Sequence, residues 1–196
     1  VLSANASKVL MKILYCARMA RFDLLRAVCG LASDVTRWTQ ACDKKLYRLM
    51  CYIKSSQNLT MKGYVLKTAK PSDASLTLYA DADFAGCKRT SRSTSGAFAC
   101  LSGPGIFVPQ AGKSAKQGAV SHSTPEAELV SADAALRCIG LPFMDLWDMV
   151  LQRGIDLTFE EDNQTAIITM KKGSSPQMRH MGRTHRVSLR WLYEVL

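Results

Sequence analysis

The chain has 196 residues, 47% hydrophobic and 21% charged, which suits a globular protein of one large domain or of one ordinary domain plus a smaller appendage. No apolar run approaches the roughly 20 residues that span a bilayer. Lys8 and Lys12 interrupt the first stretch, so neither a membrane anchor nor a secretory leader is expected. The net charge of +10 is uneven: residues 1–66 hold 11 Lys/Arg against 3 Asp/Glu, giving +8, whereas residues 67–196 hold 15 against 13, giving +2. A basic excess confined to one third of the chain points to a polyanionic partner, most often nucleic acid; a solubilising surface is the alternative.

The seven cysteines are odd in number and widely spaced, without a C-x-x-C pair, so a zinc site is not expected. Most sit among apolar neighbours and read as small core residues in a reducing, intracellular compartment. Val1 in place of Met reads as the start of a piece cut from a longer chain.

In chain order, Val9, Leu10, Ile13, Leu14 and Ala17 recur at helical spacing and predict a helix over 6–21. Asp23 is placed to cap a second helix ending near Ala32. Trp38, Cys42, Leu46, Leu49 and Ile53 form one apolar stripe of a third, over 36–55. Together they predict a small helical bundle over residues 1–66, with a possible strand at 59–66. Residues 67–75, rich in turn formers, read as a linker. Residues 76–196 then change character. Strands are expected at Leu76–Ala80, Gly96–Leu101, Ile106–Val108 and Leu157–Glu160, with a further candidate at Lys116–Ser121. Helices are expected from Ser123 to about Cys138, on to Leu151, then at Asn163–Lys171 and Thr184–Leu196, with a loop at Lys172–His180. The layout is α/β: an antiparallel meander with a later strand added by a crossover.

Three acids stand out. Asp81 follows Leu76–Ala80 and is expected at a strand end, Glu128 lies one turn inside a helix, and Asp162 opens the next helix after a strand. Carboxylates so placed can converge, and oxygen ligands are what hard divalent cations take. Two such ions about 4 Å apart activate water and stabilise the leaving oxygen in phosphodiester cleavage. Each acid has a plainer reading as a turn acid, a first-turn helix acid or a helix cap. Asp83 is the alternative to Asp81. Glu126 suits a capping box with Ser123.

The residues around these acids carry a resemblance. Tyr79-Ala80-Asp81-Ala82-Asp83-Phe84-Ala85-Gly86 resembles the Y-x-D-A-D-W-A-G opening of copia-type retrotransposon ribonuclease H domains. Arg92 to Gly96 is similar to their R-K-S-T-S-G segment, and Lys116-Gln117 with Ser123 to Glu128 to their K-K-Q and S-S-T-E-A-E run. Asp162 to Ala166 matches D-N-Q-S-A, and Arg183-Thr184-His185 resembles R-T-K-H. These ordered matches cover about residues 76–192. In the first third, Leu14 to Leu24 and Lys45 to Lys54 resemble the end of copia reverse transcriptases, a helical thumb element, with Phe22 where the family has proline.

The resemblance implies a ribonuclease H-like five-stranded mixed sheet flanked by helices. It implies Mg2+-dependent (Mn2+ possible) hydrolysis of the RNA strand of an RNA–DNA hybrid, with Asp81, Glu128 and Asp162 as metal ligands. It also implies a reverse transcriptase polymerase domain in the same polyprotein and a cytoplasmic, virus-like-particle or nuclear setting. The family's last helix carries a fourth carboxylate; here Ser188 or Val187 falls at that position. Ser188 would be a weak neutral ligand, and His185 is a candidate for proton or water handling, with helix-start packing or a phosphate contact as its alternative. Lys88, Arg89, Arg92, Lys113 and Lys116 are candidates to track phosphates, Ser93, Thr94 and Ser95 to donate to them, and Asn163 or Gln164 to reach an RNA 2′-hydroxyl. The missing acid leaves a second expectation open: a catalytically weak or inactive module that binds nucleic acid and positions template. A metal nuclease acting on DNA is a third.

Overall fold

The computed structural model describes residues 3–196, in two compact units that divide between Lys62 and Gly63. The first unit holds α1 (Ser3–Met19), α2 (Leu25–Ala32) and α3 (Gln40–Ser55). Its core joins the stripes read from the sequence, Leu10, Ile13 and Ala17 of α1 and Cys42, Leu46 and Leu49 of α3, to Val28 and Leu31 of α2. Thr39 starts α3 by accepting from the Cys42 N–H, and Trp38 donates to Asp43 at 2.7 Å. Arg21, which lies in the R-F-D-L stretch, is a structural clamp. Its guanidinium meets Asp23 at 2.8 Å and donates to the Ser56 hydroxyl at 2.7 Å and carbonyl at 3.1 Å, tying the α1–α2 joint to the end of α3.

The second unit is α/β. Its elements are β1 (Tyr64–Val65), β2 (Ser75–Asp83), β3 (Thr94–Gly103), β4 (Ile106–Lys116), α4 (Thr124–Ala135), α5 (Leu141–Leu151), β5 (Leu157–Glu160), α6 (Gln164–Lys172), α7 (Met181–Thr184) and α8 (Leu189–Val195). The sheet has the order β1-β4-β3-β2-β5 and is mixed: only β2 and β5 run parallel. The expected break at 67–75 therefore lies inside this unit, because Tyr64 and Val65 pair with Phe107 and Ile106 of β4. The β3–β4 hairpin turns through Pro104 and Gly105, and Gly105 takes φ +74°, a conformation glycine adopts without strain.

The strands extend further than their apolar runs. Asp81 sits within β2 and not at its end, and β4 runs to Lys116, so 117–121 is not a strand. Polar residues at these positions are held by the ladder, not by their own strand preference. Leu76, Leu78, Leu129, Leu136 and Leu192 are fully buried where α4 and its neighbours cover the sheet. A turn of π-helix at Leu136–Gly140 joins α4 to α5. All seven cysteines are free; Cys42 and Cys100 are buried as expected, whereas Cys16, Cys51 and Cys138 are exposed. No helix among the described residues is long and apolar enough to cross a membrane.

Candidate metal centre

Strand register brings two of the acids together. In the parallel pair, Leu76 lies opposite Leu157 and Tyr79 opposite Glu160. Continued two residues past the end of β5, that register sets Asp162 abreast of Asp81. Both strands point the same way, so their continuing chains deliver both carboxylates to one edge of the sheet. The third acid comes from above. Ser123 starts α4 by accepting from the Glu126 N–H, Pro125 falls in the first turn, and α4 packs across β2 and β3. Ser131, one turn after Glu128 on α4, donates to the carbonyls of Asp81 at 2.7 Å and Gly96 at 3.1 Å, fixing the helix over the strand pair.

As a result Asp81, Glu128 and Asp162 each offer an oxygen within 4.8 Å of the others. Asp81 and Asp162 are exposed, whereas Glu128 is 3% exposed and its Oε2 is buried without a hydrogen-bond partner. Burial pushes the Glu128 carboxyl up to about 8, reinforced by the negative charges of Glu161, Asp81 and Asp162. A buried carboxylate oxygen with no donor, facing two more acids, lacks a positive partner, and a divalent cation with oxygen preference fits that donor set.

Glu161 belongs to this neighbourhood and was not singled out in the sequence. Its Oε1 accepts from the Asn163 N–H at 3.0 Å, and its Oε2 is buried without a partner. Burial holds its carboxyl above the usual range, with Asp162 and Asp81 adding to the effect. The only sequence signal was its place beside Asp162 at the end of a strand.

Asp83, the alternative to Asp81, is not among the clustered acids. Its carboxylate accepts from the Thr94 N–H and packs against Gly86, where an added Cβ would lie 2.2 Å from its Oδ2 and push that carboxylate aside. Several other candidates are corrected. The last helix begins at Leu189, not Thr184, and Ser188 is its exposed N-cap, its Oγ accepting from the Trp191 N–H at 3.2 Å. His185 is not among the clustered acids. Its side chain is 1% exposed, and Nε2 meets Glu126 Oε1 at 2.8 Å, beside His180 Nε2 at 3.2 Å. The Glu126 carboxylate also accepts from the His122 N–H at 3.0 Å instead of closing the expected box on Ser123. Burial alone would raise the Glu126 carboxyl; the His122 N–H and the two imidazoles outweigh it and hold the group below its ordinary range. A carboxylate only accepts, so both imidazoles carry their proton on Nε2.

Ser93 and Thr94 are buried framework residues: Ser93 Oγ accepts from the Ala85 N–H at 3.0 Å, and Thr94 N–H is held by Asp83. Lys116 donates to Cys87 Sγ at 3.2 Å. Asn163 caps α6 by accepting from the Ala166 N–H at 3.0 Å. Lys88, Arg89, Arg92 and Gln164 are exposed, and Lys113 is half-buried. Gln117, quoted above only as part of a motif, is a buried bridge: its amide donates to Ser95 Oγ at 3.0 Å and to the Ala127 carbonyl at 2.9 Å, joining β3 to the start of α4.

Comparison of the chain with protein-family models, curated proteins and solved structures found no match.

Proposed function

We propose that residues 63–196 form a ribonuclease H-like nuclease that hydrolyses the RNA strand of RNA–DNA hybrids in the replication of a copia-type retrotransposon. In this reading the helical unit is the end of the polyprotein's reverse transcriptase. The observation that carries it is the meeting of Asp81, Glu128 and Asp162 around an unpartnered Glu128 oxygen. The mixed sheet with one parallel pair, covered by helices, is compatible with such a fold. The ordered motifs around each acid support the family assignment.

Asp81, Glu128 and Asp162 would hold Mg2+ or Mn2+. Bound there, divalent ions supply a low-pKa water and charge for the leaving oxygen. Asp81 and Asp162, both exposed, face the solvent side from which a phosphodiester must approach. Glu128, buried on α4, is fixed by packing and by Ser131. Lys88, Arg89 and Arg92 lie in the exposed β2–β3 connection as phosphate contacts. The test is cleavage of a labelled hybrid in Mg2+ and in Mn2+ by the wild type and by Asp162→Asn, which is expected to fold and to lose cleavage. Undiminished cleavage by the variant would reject the site.

One observation favours a second reading, an inactive nucleic-acid-binding module. Ser188 serves as a helix cap, so the last helix brings no acid to the cluster. Hybrid binding without cleavage in both metals would select it.

A further inference from the structure

The segment after α6 forms a cavity of about 460 Å³ lined by Arg179, Arg186 and Arg190 with Ser174, Ser175 and Ser188 and no acid. The three arginines are exposed. Arg190 is partly occupied, pairing with Glu194 at 2.7 Å, but among the described residues neither Arg179 nor Arg186 has an ion pair. Ser188 Oγ accepts from the Trp191 N–H, which leaves its own proton available to donate.

Two features argue that this arrangement is built and not incidental. Arg186 takes φ +59°, a left-handed conformation that costs a side-chain-bearing residue about 1 kcal/mol or more and persists only where the surroundings impose it. The segment that leads into it is held in place: His180 and His185, on either side of α7, both bind Glu126. Glu126 lies two residues before Glu128 on α4. The wall of the cavity is thus pinned to the helix that supplies the buried acid of the metal centre.

From this geometry we infer that the cavity is a phosphate-binding site for the backbone of the nucleic acid strand presented to the carboxylates, an inference that rests on the nuclease reading. Clustered carboxylates repel a polyanion, so a substrate needs a cationic anchor elsewhere on the same rigid unit. Guanidinium groups meet phosphate oxygens with paired N–H donors, and serine hydroxyls complete the shell. An anchor pinned to α4 sets the register of the strand as well as its affinity.

The experiment is equilibrium binding of a fluorescent RNA–DNA hybrid to the full chain in EDTA over a range of salt. It compares the wild type, Arg179→Ala/Arg186→Ala, and the control Lys171→Ala/Lys172→Ala, which removes equal charge outside the cavity. The arginine pair is expected to weaken binding about tenfold and to lower the salt slope by about 1 per arginine, with a smaller loss in the control. Should the alanine pair unfold, Arg179→Lys/Arg186→Lys keeps the charge but loses the paired donors, and is expected to bind more weakly than the wild type. No loss in the arginine variants, an equal loss in the lysine control, or displacement of the hybrid by a phosphopeptide at lower concentration overturns the site. Binding through the arginines without cleavage in Mg2+ or Mn2+ would sink the nuclease reading and keep the anchor. Cleavage with undiminished binding by the arginine variants would do the reverse.

Discussion

The hydroxyl of Ser131 donates to the main-chain carbonyl of Asp81 at 2.7 Å, so the helix that carries Glu128 is bonded to the strand residue whose carboxylate Glu128 faces. Ser131→Ala removes that tie without adding volume. It is expected to cost about 1 kcal/mol and to weaken divalent-cation affinity, since one of the hydrogen-bonded ties that hold α4 over the strand pair is then lost. Thermal melts and Mn2+ titration of the two proteins check this; unchanged cation affinity would show that the remaining contacts suffice.

Cation binding should stabilise the fold. With free Mn2+ at about 100 times its dissociation constant, the gain is about 2.7 kcal/mol, read as a rise in melting temperature. Asp162→Asn is expected to lose most of that rise. Calorimetry with and without EDTA measures it, and an equal rise in the variant would place the cation elsewhere.

Glu161 is expected to tune the cluster. Its partnerless Oε2 adds negative charge beside Glu128. Glu161→Gln should therefore weaken Mn2+ binding several-fold while making the cation-free protein more heat-stable. If the variant loses stability in EDTA, Glu161 is a structural acid only.

Glu126 and His185 form a buried pair at 2.8 Å, each side chain at most 2% exposed. Glu126→Ala strands His185 and the His122 N–H, with an expected loss of about 3 kcal/mol. A double-mutant cycle with His185→Ala should show strong coupling. Additive losses would mean that the two side chains act independently.

Cys87 is expected to be the most reactive thiol at neutral pH. Hydrogen bonds from Thr90 and Lys116 lower it to about 6, so alkylation by iodoacetamide should rise through that pH and level off above it. Lys116→Ala should move the rise to higher pH. Rates followed by mass spectrometry from pH 5 to about 9 decide; a thiol still gaining rate near its ordinary value of 9.0 would contradict the geometry.

Much of this was legible along the chain. The stripe of Trp38, Cys42, Leu46 and Leu49 gave α3, and Leu157–Glu160 is a strand at the expected residues. Asp81, Glu128 and Asp162 were recognisable because each lies in a local motif. His185 and Ser188 were misplaced because a continuous helix was expected across 184–196. Arg186 takes a left-handed backbone there, and Ser188 restarts the helix as a cap. Ser93 and Thr94 look like phosphate donors in a motif, but β3 pairing and Asp83 bury them.

The sequence by itself determined the helices, the main strands and the identity of the three clustered acids, because periodicity and capping act between residues close in the chain. Tertiary structure alone decided the β2–β5 register that sets Asp162 near Asp81, the Ser131 tie that lowers Glu128 onto them, the addition of Glu161, and the meeting of His180 and His185 on Glu126. Each of these joins residues brought together by chain crossings, where hydrogen bonds and burial are settled only once the sheet and α4 have packed.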